Sequence, residues 1–181
     1  MTRISAIDPK TATGRSKELL EAVRKATGTV PNMIRTMANS PAVLDAYLAA
    51  GKALSRGVLD NRFRQRIALA VSQANGCEYC LAAHSTLGKA AGLTPEEMID
   101  ARRGRAADDK TQAGLDFALE LVKHRGHIAD GDLSAARRAG YSDAEIAEIV
   151  GHVALTVLTN YFNLAAGTEV DFPKVAMALG A

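Results

Sequence analysis

The chain has 181 residues, of which 48% are hydrophobic and 4% aromatic, and its formal net charge is +2. This length suffices for one domain with a buried core, and the small net charge excludes a strongly basic nucleic-acid-binding surface. No apolar run approaches the roughly eighteen residues of a membrane span, and the N-terminus lacks the apolar region of a secretory signal. We therefore predict a single domain over residues 1–181, located in the cytoplasm.

Apolar residues recur at helical spacing along most of the chain, and turn residues separate the helical segments. No alternating apolar and polar run is bounded by turns, so strands are not expected. These patterns predict an all-α fold, a single-domain helical bundle. The predicted segments are an irregular region over 1–12, helices over 16–26, 33–37, 41–54, 60–74, 77–91, 95–99, 108–122 and 143–165, and a tail over 167–181.

Two helix starts carry capping boxes, in which a hydroxyl and a glutamate three residues later bond each other's backbone N–H groups. One is Thr94-Pro-Glu-Glu97 and the other is Ser142-Asp-Ala-Glu145. The second box opens the longest predicted helix. Between these helices, the run from Arg102 to Arg105 is interpreted as a solvated corner, which could also help dock an acidic partner.

The chain's two cysteines lie in the segment Asn75-Gly76-Cys77-Glu-Tyr-Cys80, and His84 follows four residues later. On a helix, Cys77, Cys80 and His84 would lie on one side at i, i+3 and i+7. The Asn-Gly turn before them predicts that both cysteines lie in the first turn of a new helix, where the helix dipole favours a thiolate. Thiolates are the reactive form of cysteine, and His84 is close enough to exchange a proton with Cys80. This spacing indicates a redox centre.

Other readings of the same residues remain open. Both cysteines could be inert core residues, since free cysteine packs as a small hydrophobe. They could also bind zinc with His84, with His152 or water as the fourth ligand, although no second pair of ligands at short spacing is present. His152 lies in an apolar helix and is interpreted as a core or pocket-lining residue whose polar atoms are satisfied. Tyr79 is interpreted as a packing residue. Glu78 and Glu148 are carboxylates that could take part in proton transfer, but the sequence does not show whether either points at the sulfurs.

The motif Asn-Gly-Cys-x-Tyr-Cys with a histidine four residues on resembles the signature of the AhpD-like alkylhydroperoxidase group of the carboxymuconolactone decarboxylase superfamily. The resemblance extends to the helix over 67–75 that leads into the motif and to the early Val30-Pro31-Asn32. It extends also to two C-terminal segments, Asn160-Tyr-Phe-Asn163 and Thr168-Glu-Val-Asp-Phe-Pro173. The matches together span roughly residues 28–173 and predict an AhpD-like helical bundle.

The resemblance implies a thiol-dependent hydroperoxide reductase that needs no bound cofactor. Cys80 would be the peroxidatic thiolate, Cys77 the resolving thiol and His84 the proton relay. Members of the group usually carry a relay glutamate twelve residues before the first cysteine, but this chain has Gln65 there. Glutamine can orient a histidine or a water but cannot take up a proton, so Gln65 is expected only to orient.

The resemblance also implies partners. An external dithiol, a lipoyl protein or a peroxiredoxin, would reduce the disulfide, and the chain would form a homotrimer or homohexamer. The Gln65 departure leaves open a thiol-disulfide oxidoreductase or redox-responsive adaptor with little peroxidase turnover. A decarboxylase-type activity on a small lactone is a further alternative, associated with members that lack the cysteine pair.

Overall fold

A computed structural model describes residues 2–179, and in this range the chain forms nine α-helices and no strand, which confirms the all-α prediction. Met1, Gly180 and Ala181, which belong to the predicted N-terminal segment and tail, lie outside the described residues. The helices are α1 (Gly14–Thr27), α2 (Asn32–Met37), α3 (Pro41–Leu54), α4 (Asn61–Ala74), α5 (Glu78–Ala90), α6 (Pro95–Arg102), α7 (Asp109–Lys123), α8 (Asp130–Arg138) and α9 (Asp143–Ala166).

Most predicted helices are found with ends shifted by one or two residues, and both capping boxes form as predicted. The prediction of helices was wrong at two places. Helix α8 was not predicted, because Ala129 stands at its N-cap and only Asp132, which accepts a hydrogen bond from the Ala129 N–H at 3.0 Å, marks its start. Helix α6 continues to Arg102 instead of ending at residue 99.

Helix α4 is the centre of the bundle and contacts α5, α6, α7 and α9. Its second half is buried on nearly every side, from Ile67 to Ser72. Such all-round burial is typical of a helix enclosed by others. Because α5 follows α4 after a three-residue turn, the start of α5 is held against the core.

The buried side chains form two main clusters. The first joins α4, α7, α8 and α9 and includes Phe63, Leu115 and Ile149. The second joins α1, α2 and α3 and contains Cys77 and Cys80. The two cysteines therefore lie inside a packed apolar region, where unpaired polar atoms are costly.

The tail after α9 packs back on the body. Asp171 accepts a hydrogen bond from the Asn32 N–H at 2.7 Å, at the start of α2. Farther along, the Arg102 guanidinium donates to the carbonyls of Ala176 and Met177 at 2.6 and 3.2 Å. Arg102 is only 9% exposed and also donates to Gln73, so the interpretation of residue 102 as part of a solvated corner is wrong.

Helix α9 is the one helix of the described range that is long and apolar enough to span a membrane by length and composition. One side of it packs in the bundle, however, and its buried residues there include Thr156, Asn160 and Asn163. Buried polar residues of this kind are expected on a core helix that makes specific hydrogen bonds.

Candidate redox site

The turn between α4 and α5 places the first cysteine. Gly76 has a φ of +67°, a left-handed conformation that glycine adopts without steric cost. Cys77 follows as the N-cap of α5, with an extended backbone, and Glu78 is the first helical residue. The prediction that Cys77 lies within the first turn is thus wrong by one residue. As the N-cap, Cys77 accepts a hydrogen bond through Sγ from the Cys80 N–H at 3.3 Å.

Both cysteines are free thiols and almost fully buried, with 1% of Cys77 and 2% of Cys80 exposed. Asn163 of α9 lies beside them, and its Nδ2 donates to Cys80 Sγ at 3.3 Å and to Met33 Sδ at 3.2 Å. An amide donor stabilises a negatively charged sulfur more than a neutral one. The surroundings of Cys80 therefore favour its thiolate.

The two sulfurs differ in acidity. The pKa of Cys80 is lowered to about 7, chiefly by the hydrogen bond from the Cys77 thiol and then by Asn163, Asn160 and Thr159, against the opposing effect of burial. The pKa of Cys77 is raised, first by that same bond to Cys80 and then by burial. At neutral pH the pair thus favours a thiolate on Cys80 and a proton on Cys77.

His84 is held by a short chain of polar side chains on α4. His84 Nδ1 lies 2.9 Å from Gln65 Oε1, Gln65 Nε2 donates to Asn61 Oδ1 at 3.3 Å, and Arg64 donates to that same Oδ1 at 3.4 Å. Since a guanidinium only donates, it fixes Asn61 Oδ1 as an acceptor, which in turn directs Gln65 Nε2 to Asn61 and Gln65 Oε1 to His84. His84 therefore donates through Nδ1–H, and its Nε2 is left as the basic nitrogen. Burial lowers the pKa of His84 to about 4, so the ring is neutral at pH 7.

His84 lies between two cavities. A small apolar cavity of about 70 Å³ is lined by Cys80, His84 and Phe172, among others. A more polar cavity of about 180 Å³ is lined by His84, Gln65 and His152. The two cavities share His84 and Thr159, so the imidazole separates a polar chamber from the chamber that reaches Cys80.

The structure also places the other residues that the sequence singled out. His152 lines the polar cavity, as predicted, but the expectation that its polar atoms are satisfied is wrong, because its buried Nε2 has no hydrogen-bond partner within the described range. Tyr79 packs edge-on against Phe172 and accepts a hydrogen bond from the Met33 N–H at 3.1 Å. Glu78 is exposed, and Glu148 accepts from the Val58 and Leu59 N–H groups at 2.7 and 3.0 Å.

No group of three or more histidine, cysteine, aspartate or glutamate side chains is arranged to hold a metal ion within residues 2–179. Cys77, Cys80 and His84 thus do not form such a group. Their neighbours are the amide of Asn163 on one side and the amide of Gln65 on the other.

Asn163 is the site residue whose contact with Cys80 the sequence pattern does not indicate. It lies 83 positions from Cys80, and the sequence showed it only within a C-terminal segment of the family signature. A signal was present nonetheless. Thr156, Asn160 and Asn163 fall on the buried side of an otherwise apolar helix, where polar residues are expected to have specific partners.

Comparisons with known proteins support the resemblance. The sequence profile of the carboxymuconolactone decarboxylase family matches residues 41–124, whereas no curated protein matches the chain. A crystal structure of an alkylhydroperoxidase AhpD core, an uncharacterized peroxidase-related protein from Ralstonia eutropha JMP134, is 25% identical with a TM-score of 0.84. That alignment covers 94% of this chain and 92% of the other.

Two further solved structures share the fold. An uncharacterized peroxidase-related protein from Silicibacter sp. TM1040 is 25% identical with a TM-score of 0.78, over 92% of this chain and 91% of the other. The debrominase Bmp8 C82A in complex with 2,3,4-tribromopyrrole is 19% identical with a TM-score of 0.80, over 94% and 92%. The profile match, the fold and the sulfur motif agree, and together they support the resemblance of the chain to the AhpD-like group of the carboxymuconolactone decarboxylase superfamily.

Proposed function

We propose that this protein is a thiol-dependent hydroperoxide reductase of antioxidant defence, with Cys80 as the peroxidatic residue. The main support for the proposal is the environment of Cys80. Cys80 combines a lowered pKa, an amide donor at 3.3 Å and a position in the wall of an apolar cavity, with a second thiol beside it. A stabilised thiolate with a resolving thiol within reach is typical of cysteines that react with peroxides.

The reaction proceeds in two steps. The Cys80 thiolate attacks the terminal oxygen of a hydroperoxide, the O–O bond breaks, and the products are a Cys80 sulfenic acid and an alkoxide that takes a proton to become an alcohol. The Cys77 thiol then attacks the sulfenic sulfur, which forms the Cys77–Cys80 disulfide and releases water. Two electrons pass from the sulfur pair to the peroxide, and an external dithiol must restore them.

His84 supplies the proton in this scheme. Its neutral ring, with Nε2 as the basic nitrogen, takes the proton from the fraction of Cys80 that is still a thiol and then returns it to the departing alkoxide. Gln65 does not transfer a proton. It fixes the orientation and tautomer of His84 through the 2.9 Å contact with Nδ1, so one imidazole can complete the proton cycle without a relay carboxylate.

The first test is peroxide consumption with dithiothreitol as reductant. We expect the wild type to consume peroxide and both Cys80→Ser and Cys77→Ser to lose turnover. Once dithiothreitol is removed, reduced Cys77→Ser should still consume about one equivalent of peroxide per chain, because the sulfenic acid forms without the resolving thiol. Turnover that survives in Cys80→Ser would disprove the assignment of the peroxidatic residue.

The second test concerns the relay position. We expect Gln65→Glu to raise the peroxidase rate, because a carboxylate beside His84 stabilises the imidazolium that forms when the ring takes a proton. Gln65→Met, which cannot orient the ring, serves as the control and should lower the rate. An unchanged rate in Gln65→Glu would show that the missing acid does not limit the chemistry.

A second candidate function rests on Gln65 itself. Since this residue cannot carry a proton, the sulfur pair could instead exchange electrons with protein thiols, as a thiol-disulfide oxidoreductase or a redox-responsive adaptor. Wild-type protein that exchanges disulfides while peroxide persists would favour this function over the peroxidase. Loss of bromide from a halogenated pyrrole, or decarboxylation of a small lactone, would point to the other chemistries associated with the fold and the superfamily.

We further propose that the protein acts as a homotrimer or homohexamer in the cytoplasm, with a lipoyl protein or a peroxiredoxin as the electron donor. Exposed apolar side chains on α9, among them Leu158 and Tyr161, support self-association. In the reducing cytoplasm, a disulfide that forms and breaks during turnover agrees with the general use of cysteine pairs in that compartment.

A further inference from the structure

The two cysteines lie in the walls of two different cavities. Cys80 borders the apolar cavity of about 70 Å³ described above, together with Ala83 and Phe172. Cys77 borders a separate cavity of about 230 Å³ between the start of α5, the end of α9 and the first residues of the tail. We call this second space the Cys77 cavity; its other lining residues include Gly76, Glu78, Asn163 and Thr168.

Two of the residues that line the Cys77 cavity each carry a polar atom with no hydrogen-bond partner within the described part of the chain. These atoms are Asn163 Oδ1 and Thr168 Oγ1, both buried. Asn163 as a whole is only 3% exposed, and its amide nitrogen is already engaged by Cys80 and Met33. Buried acceptors without partners are rare in native proteins and are costly. A ligand that brings hydroxyl or amide donors would satisfy them.

We propose that the Cys77 cavity is the entry site of the reductant, a small uncharged dithiol, and that this dithiol attacks Cys77. This proposal rests on the proposed function, in which a Cys77–Cys80 disulfide forms. The oxidant and the reductant would then reach the sulfur pair from different cavities, the hydroperoxide beside Cys80 and the dithiol beside Cys77.

Exchange chemistry selects the same sulfur. A thiolate of the dithiol attacks Cys77 Sγ and forms a mixed disulfide, the Cys77–Cys80 bond breaks, and Cys80 leaves as a thiolate. Thiols of low pKa leave faster, and the Asn163 amide that donates to Cys80 Sγ stabilises that leaving thiolate. The second thiol of the reductant then attacks the reductant's first sulfur, the one bonded to Cys77 in the mixed disulfide. The reductant leaves as a cyclic disulfide, and the Cys77 thiolate takes a proton.

The cavity also favours a dithiol over a monothiol. After the first attack the Cys80 thiolate remains next to the mixed disulfide and can reverse the step. A tethered second thiol competes with this reversal because it is already present at high effective concentration. Glu78 is the charged residue that lines the cavity, so an anionic thiol such as glutathione is disfavoured relative to an uncharged one.

The test measures the two half-reactions separately by rapid mixing. Thr168→Leu fills the Cys77 cavity and breaks no side-chain hydrogen bond, because Thr168 Oγ1 makes none. We expect this variant to slow reduction of the disulfide by dithiothreitol about tenfold or more. Oxidation of its dithiol form by peroxide should stay within about twofold of the wild-type rate. Ala83→Leu, on the other cavity, should show the opposite pattern.

Thr168→Ser keeps the hydroxyl and adds no bulk, so it should be reduced at the wild-type rate. Thermal unfolding of all three variants serves as the folding control. Equal slowing of both half-reactions in Thr168→Leu, or no slowing of reduction, would overturn the proposal.

The disulfide can also be made with diamide, so the test of access, meaning the rate at which dithiothreitol reduces the disulfide, does not depend on peroxide chemistry. A protein that forms a disulfide with diamide but not with peroxide would disprove the peroxidase and leave the test of access intact.

A second measurement identifies the attacked sulfur. Oxidised wild-type protein is mixed with 2-mercaptoethanol, quenched with acid and cleaved after Glu78, which separates Cys77 from Cys80 in the sequence. Mass spectrometry should find the mixed disulfide on Cys77. An adduct found on Cys80 would overturn the assignment.

Discussion

At the scale of single residues, the site depends on an asymmetry between two thiols only three positions apart. Cys77 is the N-cap of α5 and donates its thiol hydrogen bond to Cys80, which also receives the Asn163 amide. The protonated state of one sulfur therefore stabilises the charged state of the other. Removal of either donor should return Cys80 toward the behaviour of an ordinary cysteine.

The pH dependence of alkylation tests this asymmetry. In wild-type protein the iodoacetamide rate at Cys80 should rise through a midpoint of about 7, because the thiolate is the reactive form. In Asn163→Leu the midpoint should move to higher pH, since the substitution removes a donor to the charged sulfur. Met33→Leu, which removes the other sulfur partner of Asn163 and keeps the amide, is the matched control. Equal midpoints in wild type and Asn163→Leu would contradict the role of the amide.

Sequence reasoning could identify the sulfur pair and His84 because their spacing is local. It could not identify Asn163, whose contact with Cys80 depends on how α9 packs against α5. Nor could it give the state of His84, which depends on hydrogen bonds that run from Arg64 through Asn61 to Gln65. Contacts between distant residues are fixed by tertiary packing, which one sequence does not display.

At the scale of helices, the sequence predicts a helix start correctly where the N-cap side chain itself accepts a hydrogen bond from the first turn. The Thr94 and Ser142 capping boxes form as expected. Helix α8 was missed because Ala129 at its N-cap has no side-chain hydrogen bond. Arg102 was misjudged because its partners are carbonyls of the tail, more than 70 residues away. A charged residue that is buried by a distant segment leaves no periodic pattern in the sequence.

A glycine in α7 tests the packing of helices around α4. A Cβ added at Gly114 would collide with Tyr141 and Phe63 side chains, so Gly114→Ala should destabilise the fold by about 1–3 kcal/mol through overpacking, despite the higher helix propensity of alanine. At Gly51 in α3 a Cβ would meet nothing within 4 Å, and Gly51→Ala should be neutral or stabilising by up to about 1 kcal/mol. Urea unfolding measures both. Equal stability of the two variants would contradict the close packing of α7.

At the scale of the whole molecule, α9 combines two unlike sides. One side carries the buried polar residues of the site, and the other exposes Val150, Leu158, Tyr161 and Leu164, each more than 40% accessible. At 100° per residue these four positions fall on one side of the helix. A contiguous apolar surface of this kind is typical of a subunit interface.

The assembly state can be tested on that surface. We expect sedimentation of the wild type to give a trimer or hexamer, and the double variant Leu158→Lys with Tyr161→Lys to shift it toward the monomer, because burying two charges in an apolar interface is costly. Val58→Lys is the matched control, since Val58 is 63% exposed but lies outside α9. A wild-type monomer, or a double variant that assembles normally, would exclude this interface.

The tail has one further consequence for how such proteins diversify. Phe172 borders the cavity of Cys80, whereas Thr168 and Val170 border that of Cys77. The five residues 168–172 would thus influence both the choice of oxidant and the choice of electron donor. Because this segment also matches the family signature, relatives that keep it are expected to keep both the oxidant and the donor. Relatives that depart from it are expected to change both, with the sulfur pair left intact.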